Sequence, residues 1–422
     1  MDRGRPAIGP AAYPAGHHHP AARTAMRRPA PSALFPAAPA FLDADALDVR
    51  DLEDLLDAAA DGPCPPLASA LREGVPVYDC VGLQDALQAP HTLRALLDEW
   101  HTVLADGAGV LVLAGAWADA ALVDDVTQAF QRMLQREAGT RVAADHFARA
   151  GRNGRVWNAL QKLCLDDPLL FARYYANPWL APICTAWLGP AWQATSQVNC
   201  VYPGGAAQDP HRDYHLGFVT TAEAARWPRS AHRLSPWLTL QGAVAHVDMP
   251  LDSGPTLLLP HSQRYEPGYL VRTLPDFDAC FARRCVQLPL QKGDAVFFNP
   301  ALMHAAGHNR STDIDRMANL LQVSSAFGRA MESVDRQAMS LALHPALCRA
   351  LDDGRLTPED ADRAIAACAE GYAFPTNLDL DPPVGGLAPA SPQAVLRQAV
   401  AERWAPQRLA DRLRTMAAAR QA

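Results

Sequence analysis

In the segment Gln208-Asp209-Pro210-His211-Arg212-Asp213-Tyr214-His215, an imidazole and a carboxylate stand two residues apart, so a strand would project both from one face. His211 and Asp213 are thereby placed to hold one metal ion together. A third donor follows the strand-like run 295–299, in Asn299-Pro300-Ala301-Leu302-Met303-His304. Two histidines and one carboxylate on one side of an ion form a facial triad, which leaves positions open for a chelating co-substrate and oxygen. Zinc would accept the same donors. An HxD tripeptide is expected by chance in many chains of this size, so its weight depends on what surrounds it.

Other histidines compete for the role. His215 lies four residues after His211, on the same strand face, and is a candidate substrate contact or packing residue. His308 could replace His304, but Gly307 and Asn309 place it in a turn. His246 and His261 read as scaffold histidines. His17, His18 and His19 fall in a stretch rich in Ala and Pro, where adjacent flexible side chains form no preorganised site.

The elements that must position these residues have a readable texture. Apolar residues recur at three- and four-residue spacing over 93–104 and 121–134, which predicts amphipathic helices, with a buried strand at 109–113 between them. A further helical stretch, 168–188, is broken at prolines. From 193 to about 326 the pattern is strand-like: 196–202, 237–247, 256–259, 286–290, 295–299 and 319–324, separated by turn chemistry such as Asp252-Ser253-Gly254-Pro255 and Lys292-Gly293-Asp294. Many short antiparallel strands suggest a barrel or jelly roll. Thr357-Pro358-Glu359-Asp360 carries helix-start signals, and 392–419 has amphipathic spacing. The expected organisation is a disordered tail over 1–41, a catalytic domain over 42–328 and a C-terminal helical extension over 329–422. Within that domain the part to about 190 is helical and the β core spans 193–328.

Composition narrows the partners. A net charge of −7 without a dense Lys/Arg stripe argues against nucleic acid, whose affinity rests on neutralised phosphates. Nine scattered cysteines without a CxxC pair fit neither a disulfide framework nor a zinc ribbon, so a reducing cytoplasm is the expected location. No apolar run approaches a membrane span and no secretory leader is evident, so neither membrane insertion nor export is expected. The expected partner is a small-molecule substrate. Oligomeric state is not legible.

The strand region resembles the phytanoyl-CoA dioxygenase (PhyH-like) branch of the iron(II)- and 2-oxoglutarate-dependent oxygenases. The carrying residues are Gln208 with His211-Arg212-Asp213, Ser253-Gly254-Pro255-Thr256 leading into Leu259-Pro260-His261-Ser262, Gly293-Asp294, and 304–309 followed by Arg316. The resemblance runs from about 97 to 327 and is silent on both tails.

It implies a mainly β core with flanking helices, a double-stranded β-helix (jelly roll, cupin-like), with N- and C-terminal helical segments. It also implies an Fe(II) site made by His211, Asp213 and His304, with 2-oxoglutarate and O2 as co-substrates. Arg316, or its competitor Arg310, would grip the far carboxylate of the keto acid, because a guanidinium fork meets a carboxylate bidentately. Gln208 and Thr256 occupy positions that donate hydrogen bonds to the co-substrate in some relatives. The implied reaction is hydroxylation of a small organic molecule with release of succinate and CO2, and the carboxylate at Asp213 favours hydroxylation over halogenation. Desaturation and ring chemistry stay open. Two departures stand out: Pro260-His261-Ser262-Gln263 replaces the usual PGSH turn, and Ala306 replaces a small hydroxyl.

The alternatives are a catalytically silent jelly-roll metal-binding protein and a zinc-dependent hydrolase. Trp157, Asn158 and Lys162 are candidate substrate contacts. The loop 217–235, with Trp227, Arg226, Arg229 and Arg233, is a candidate lid whose arginines hint at an anionic substrate.

Overall fold

In the computed structural model of the chain, the described residues are 39–60, 62–138, 152–373 and 376–421. The expected tail, with His17, His18 and His19, lies outside them except at 39–41.

Among the described residues eleven strands form in chain order: β1 Ala70–Arg72, β2 Val75–Asp79, β3 Val110–Ala114, β4 Asn153–Val156, β5 Gln193–Val201, β6 Thr239–Ala245, β7 Leu257–Leu258, β8 Val286–Gln287, β9 Ala295–Phe298, β10 His304–Ala305 and β11 Arg316–Ser324. The large sheet has the order β1-β2-β3-β9-β6-β11-β5-β4, and a small sheet has the order β10-β7-β8. His211 extends the small sheet by one antiparallel bridge to His304. The result is an open jelly roll: a mixed sheet core with flanking helices. It does not close as a barrel, and β2 runs parallel to β3.

Period-two alternation divides the large sheet into two faces. Met317, Leu321 and Val323 of β11, Leu240 and Val244 of β6, Val198 of β5 and Phe297 of β9 pack on one face into the main hydrophobic cluster. The alternate residues, among them Arg316, Ala318, Leu320 and Gln322 of β11, line a cavity on the other face.

Helices cover the apolar face. Pro90–Ala105 and Ala120–Ala138 bury Trp100, Leu104, Val126 and Phe130 there. The expected stretch 168–188 is two helices, Pro168–Tyr175 and Leu180–Leu188. Asp167 caps the first, and the Asn177 side-chain oxygen accepts from the Trp179 and Leu180 amides ahead of the second. The C-terminal helices join the same cluster through Met339, Leu343, Leu347, Ile365 and Leu396, so 41–422 form one compact unit.

The helix start expected at Thr357-Pro358-Glu359-Asp360 is present, and Thr357 and Asp360 form a capping box there. The single amphipathic stretch read over 392–419 is instead two helices, Pro392–Ala401 and Pro406–Ala419. Arg403 between them has φ 52°, and Pro406 can start a helix but cannot continue one. Among the described residues no cysteine is in a disulfide, and no helix is long and apolar enough to cross a membrane.

Candidate metal centre and co-substrate cavity

His211 and His304 are held backbone to backbone. His211 N donates to His304 O and His304 N to His211 O, both at 3.0 Å, while Asp213 N donates to Pro300 O at 3.1 Å. Arg212, between the two candidate ligands, points the other way. Its Nη2 donates to Ser262 O at 2.6 Å and to Tyr265 O at 2.8 Å, and its guanidinium lies over the Tyr269 ring. Only glycine fits opposite it, since a Cβ on Gly268 would lie 1.9 Å from Arg212 Cζ. This clamp pins the backbone that carries the donors. Ser262 also accepts from Met303 N at 2.8 Å, so the altered turn Pro260-His261-Ser262-Gln263 still ties the two ligand-bearing segments together.

The imidazole orientations follow from their outer hydrogen bonds. His211 Nδ1 meets Asp209 O at 2.8 Å and His304 Nδ1 meets Leu302 O at 2.9 Å. A carbonyl can only accept, so each Nδ1 carries the proton and each Nε2 turns a lone pair inward. The two Nε2 atoms lie 3.6 and 3.5 Å from the Asp213 oxygens, and the three donor atoms are within 4.8 Å of one another. Two lone pairs converging on a carboxylate call for a cation between them, and outer hydrogen bonds of this kind are what orient metal-binding histidines.

Burial pushes the Asp213 carboxyl up. The neighbouring imidazoles of His304 and His211 and the Gln241 amide outweigh it and hold the pKa at about 2. Burial and the neighbouring His304 lower the pKa of His211. The set suits an N,N,O facial metal site.

The centre opens into a cavity of about 530 Å³. Arg316, Gln208 and Thr256 all line it, whereas Arg310 does not; it is exposed, with its amide on Asp252 O. Arg316 is 7% exposed, and among the described residues its side chain makes one hydrogen bond, from Nη1 to Gly307 O at 3.3 Å. Among the described residues no carboxylate pairs with it, and burial lowers its pKa to about 10. Gln208 Oε1 accepts from Ala306 N at 3.3 Å. Gly254, at φ 71°, turns the chain into Thr256 where a Cβ would strike His308 O at 2.3 Å. The Gly293-Asp294 pair is structural: the Asp294 carboxylate accepts from the Gly115 and Gln291 amides.

Several expectations need correction. His215 does not share a strand face with His211, because the chain turns at Tyr214 and His215 (φ 63° and 41°); its Nδ1 meets Ser235 Oγ instead. His308 is exposed in its turn. Trp157 lines the cavity, but Asn158 and Lys162 do not: the Asn158 amide is held by Glu332, and Lys162 pairs with Glu137. In the candidate lid, Arg229 and Arg233 both pair with Glu266. Gly217 and Phe218 do reach the cavity.

Sequence reasoning missed Gln241, whose Nε2 donates to Asp213 Oδ2, and also Gln197, Gln322, Arg155 and Arg272 of the cavity wall. The available signal was polar residues in otherwise apolar strands, as in Thr239-Leu240-Gln241 and Leu321-Gln322-Val323.

The phytanoyl-CoA dioxygenase (PhyH) family matches residues 105–318. Dioxygenase andF of Emericella variicolor is 27% identical over 147 residues, 33% of this chain and 45% of that protein. Dioxygenase trt7 of Aspergillus terreus is 29% identical over 128 residues, 30% of this chain and 39% of that protein. The match thus spans less than half the length of either curated relative. Among solved structures, the non-heme alpha ketoglutarate dependent epimerase SnoN from nogalamycin biosynthesis aligns at TM-score 0.38 and 21% identity, over 55% of this chain and 84% of that one.

Proposed function

Because the chain belongs to the phytanoyl-CoA dioxygenase family, we propose that it is an iron(II)- and 2-oxoglutarate-dependent dioxygenase that hydroxylates a small organic molecule and releases succinate and CO2. The observation that carries the reading is Arg316, a buried cation without a counter-ion among the described residues, in the same cavity as three inward-turned candidate donors. A charge in that state is costly unless a partner arrives. A dicarboxylate that chelates the metal at one end and meets the guanidinium fork at the other would satisfy both features.

The protein's share of the reaction is placement and exclusion. His211 and His304 would hold the metal through Nε2, and Asp213 through a carboxylate oxygen that Gln241 keeps in orientation. Bound iron supplies the activation of oxygen that couples oxidative decarboxylation of the keto acid to oxidation of the substrate. Arg316 fixes the far carboxylate, with the Thr256 hydroxyl and the Gln208 amide beside it. Met249, Leu290, Val296 and Phe298 give that part of the wall an apolar surface that limits water. Small residues at Ala243, Ala245 and Ala318 leave room for the keto acid.

Anaerobic titration of the purified protein with iron(II) and then 2-oxoglutarate tests the reading. A weak visible charge-transfer absorption should appear on addition of the keto acid. Its absence with iron bound would favour the silent or zinc-hydrolase alternatives.

A further inference from the structure

One end of the cavity is not used by the keto acid. Along β11 the cavity-facing residues run Arg316, Ala318, Leu320, Gln322, so Gln322 closes the row that Arg316 opens. Gln322 stands opposite Gln241 in the β6 register, and Gln241 holds Asp213, which puts Gln322 beside the metal donors.

Behind it runs a chain of amides. Arg155 Nη1 donates to Gln197 Oε1 at 2.8 Å, and Gln197 Nε2 donates to Gln322 Oε1 at 3.1 Å. A primary amide can be turned either way, and its partners decide which. Here the guanidinium decides, because it can only donate. Gln197 must turn its oxygen to Arg155, which leaves its NH2 for Gln322. Gln322 must then turn its oxygen to Gln197, which leaves its own NH2 toward the cavity. Among the described residues nothing accepts from that NH2. Each link polarises the next, so the cavity wall presents a neutral group with the donor character of a nearby charge.

We propose that this end binds the substrate through a carbonyl or carboxylate oxygen accepting from Gln322 Nε2, which makes the substrate an oxo or carboxylate compound rather than a hydrocarbon or an amine. The same wall includes Trp157, whose ring lies under Arg155 at 5.2 Å from the guanidinium carbon and can cover an apolar body attached to the acceptor. A substrate presenting only N–H donors at this position would set donor against donor.

The inference rests on the dioxygenase reading for what is done to the substrate, but not for what Gln322 prefers. Three probes of one shape test it: cyclohexanecarboxylate, cyclohexyl methyl ketone and cyclohexylmethylammonium, titrated into protein saturated with nickel(II) and 2-oxoglutarate so that Arg316 is taken. Wild type should bind the carboxylate, the ketone or both about tenfold more tightly than the ammonium, the worth of one good hydrogen bond. Strong ketone binding assigns a neutral carbonyl; carboxylate binding alone assigns an acid.

Gln322→Glu should invert the order of carboxylate and ammonium. Arg155→Met, which frees both amides to turn, should shrink the preference to within about threefold even with Gln322 in place. A carboxylate held by Arg316 instead would lose affinity in Arg316→Ala and keep it in Gln322→Glu, and that result overturns the proposal. So does a wild type that binds all three probes alike. The iron(II) and 2-oxoglutarate titration is read separately: if it fails while Arg316→Ala, titrated without keto acid, keeps the probe order, the dioxygenase reading falls and the acceptor site stands.

Discussion

Arg316→Met should move stability and ligand affinity in opposite directions. In the free protein the guanidinium is buried with one long hydrogen bond, and burial lowers its pKa from 12.5 to about 10. At 1.36 kcal/mol per unit, that shift corresponds to roughly 3 kcal/mol of unrelieved desolvation. Methionine keeps most of the apolar stem and removes the charge, so the free protein should gain about 1 to 3 kcal/mol after the bond to Gly307 O is lost. Both the folded and the unfolded chain carry the charge through the neutral range, so this gain should not vary with pH there. For the keto acid the sign reverses. Its far carboxylate loses a buried, charge-assisted partner worth roughly 3 to 5 kcal/mol, which lowers affinity by about two to four orders of magnitude. Scanning calorimetry with and without manganese(II) and 2-oxoglutarate reads both effects, since the free midpoint should rise while the ligand-induced shift disappears. Arg316→Lys, which keeps a charge but not the fork, should fall between. A variant that is less stable when free and binds 2-oxoglutarate within about threefold of wild type would make Arg316 a scaffold residue and refute the reasoning.

Three further outcomes are expected. Asp213→Ala should abolish turnover with the fold intact by circular dichroism, and full retained activity would remove Asp213 from the ligand set. Gln241→Met should weaken cobalt(II) binding by about 10- to 100-fold, because the Asp213 carboxylate loses the amide that orients it; an unchanged titration would leave Gln241 with no role at the centre. His246 sits between Thr127 Oγ1 and the Tyr174 hydroxyl, and burial pushes its pKa down to about 3. The unfolded chain takes up that proton below about 6.5 and the folded chain only near 3, so stability is lost as pH falls through this window, by about 2 kcal/mol between about pH 7 and pH 5. Urea midpoints of His246→Gln should lack that component, and curves parallel to wild type would show that His246 does not titrate this way.

The elements legible in sequence were those whose periodicity serves one face. The helices at Pro90–Ala105 and Ala120–Ala138 answer to apolar spacing because each buries one side, whereas the strand Val110–Ala114 answers to a short continuous apolar run that is buried on both faces. The helix Arg336–Asp352 lies inside the expected helical extension, but its ends were not legible because apolar and polar residues are spread around it and Pro345 interrupts it. The extra strands β1, β2 and β4 are short, and the large sheet alone makes them strands. His215 failed for a local reason: a two-residue spacing predicts a shared face only while the backbone stays extended, and positive φ at Tyr214 and His215 ends that.

The three candidate donors were legible through the motifs around them, since HxD alone is expected by chance, and the fold brings His211, Asp213 and His304 together. Glutamine carries no such signature. Gln197, Gln241 and Gln322 come from three strands far apart in sequence, and the sheet order β6-β11-β5 alone lays them side by side. Their direction is not a property of any one of them, since each amide could face either way until Arg155 fixes the first. A polar residue at an inward position of an apolar strand breaks the local pattern, and such breaks are expected where a fold gives up packing for function. The local rule thus marked where to look. The donor Gln322 presents to the cavity exists only in the assembled sheet, and that is where the proposed acceptor site lies.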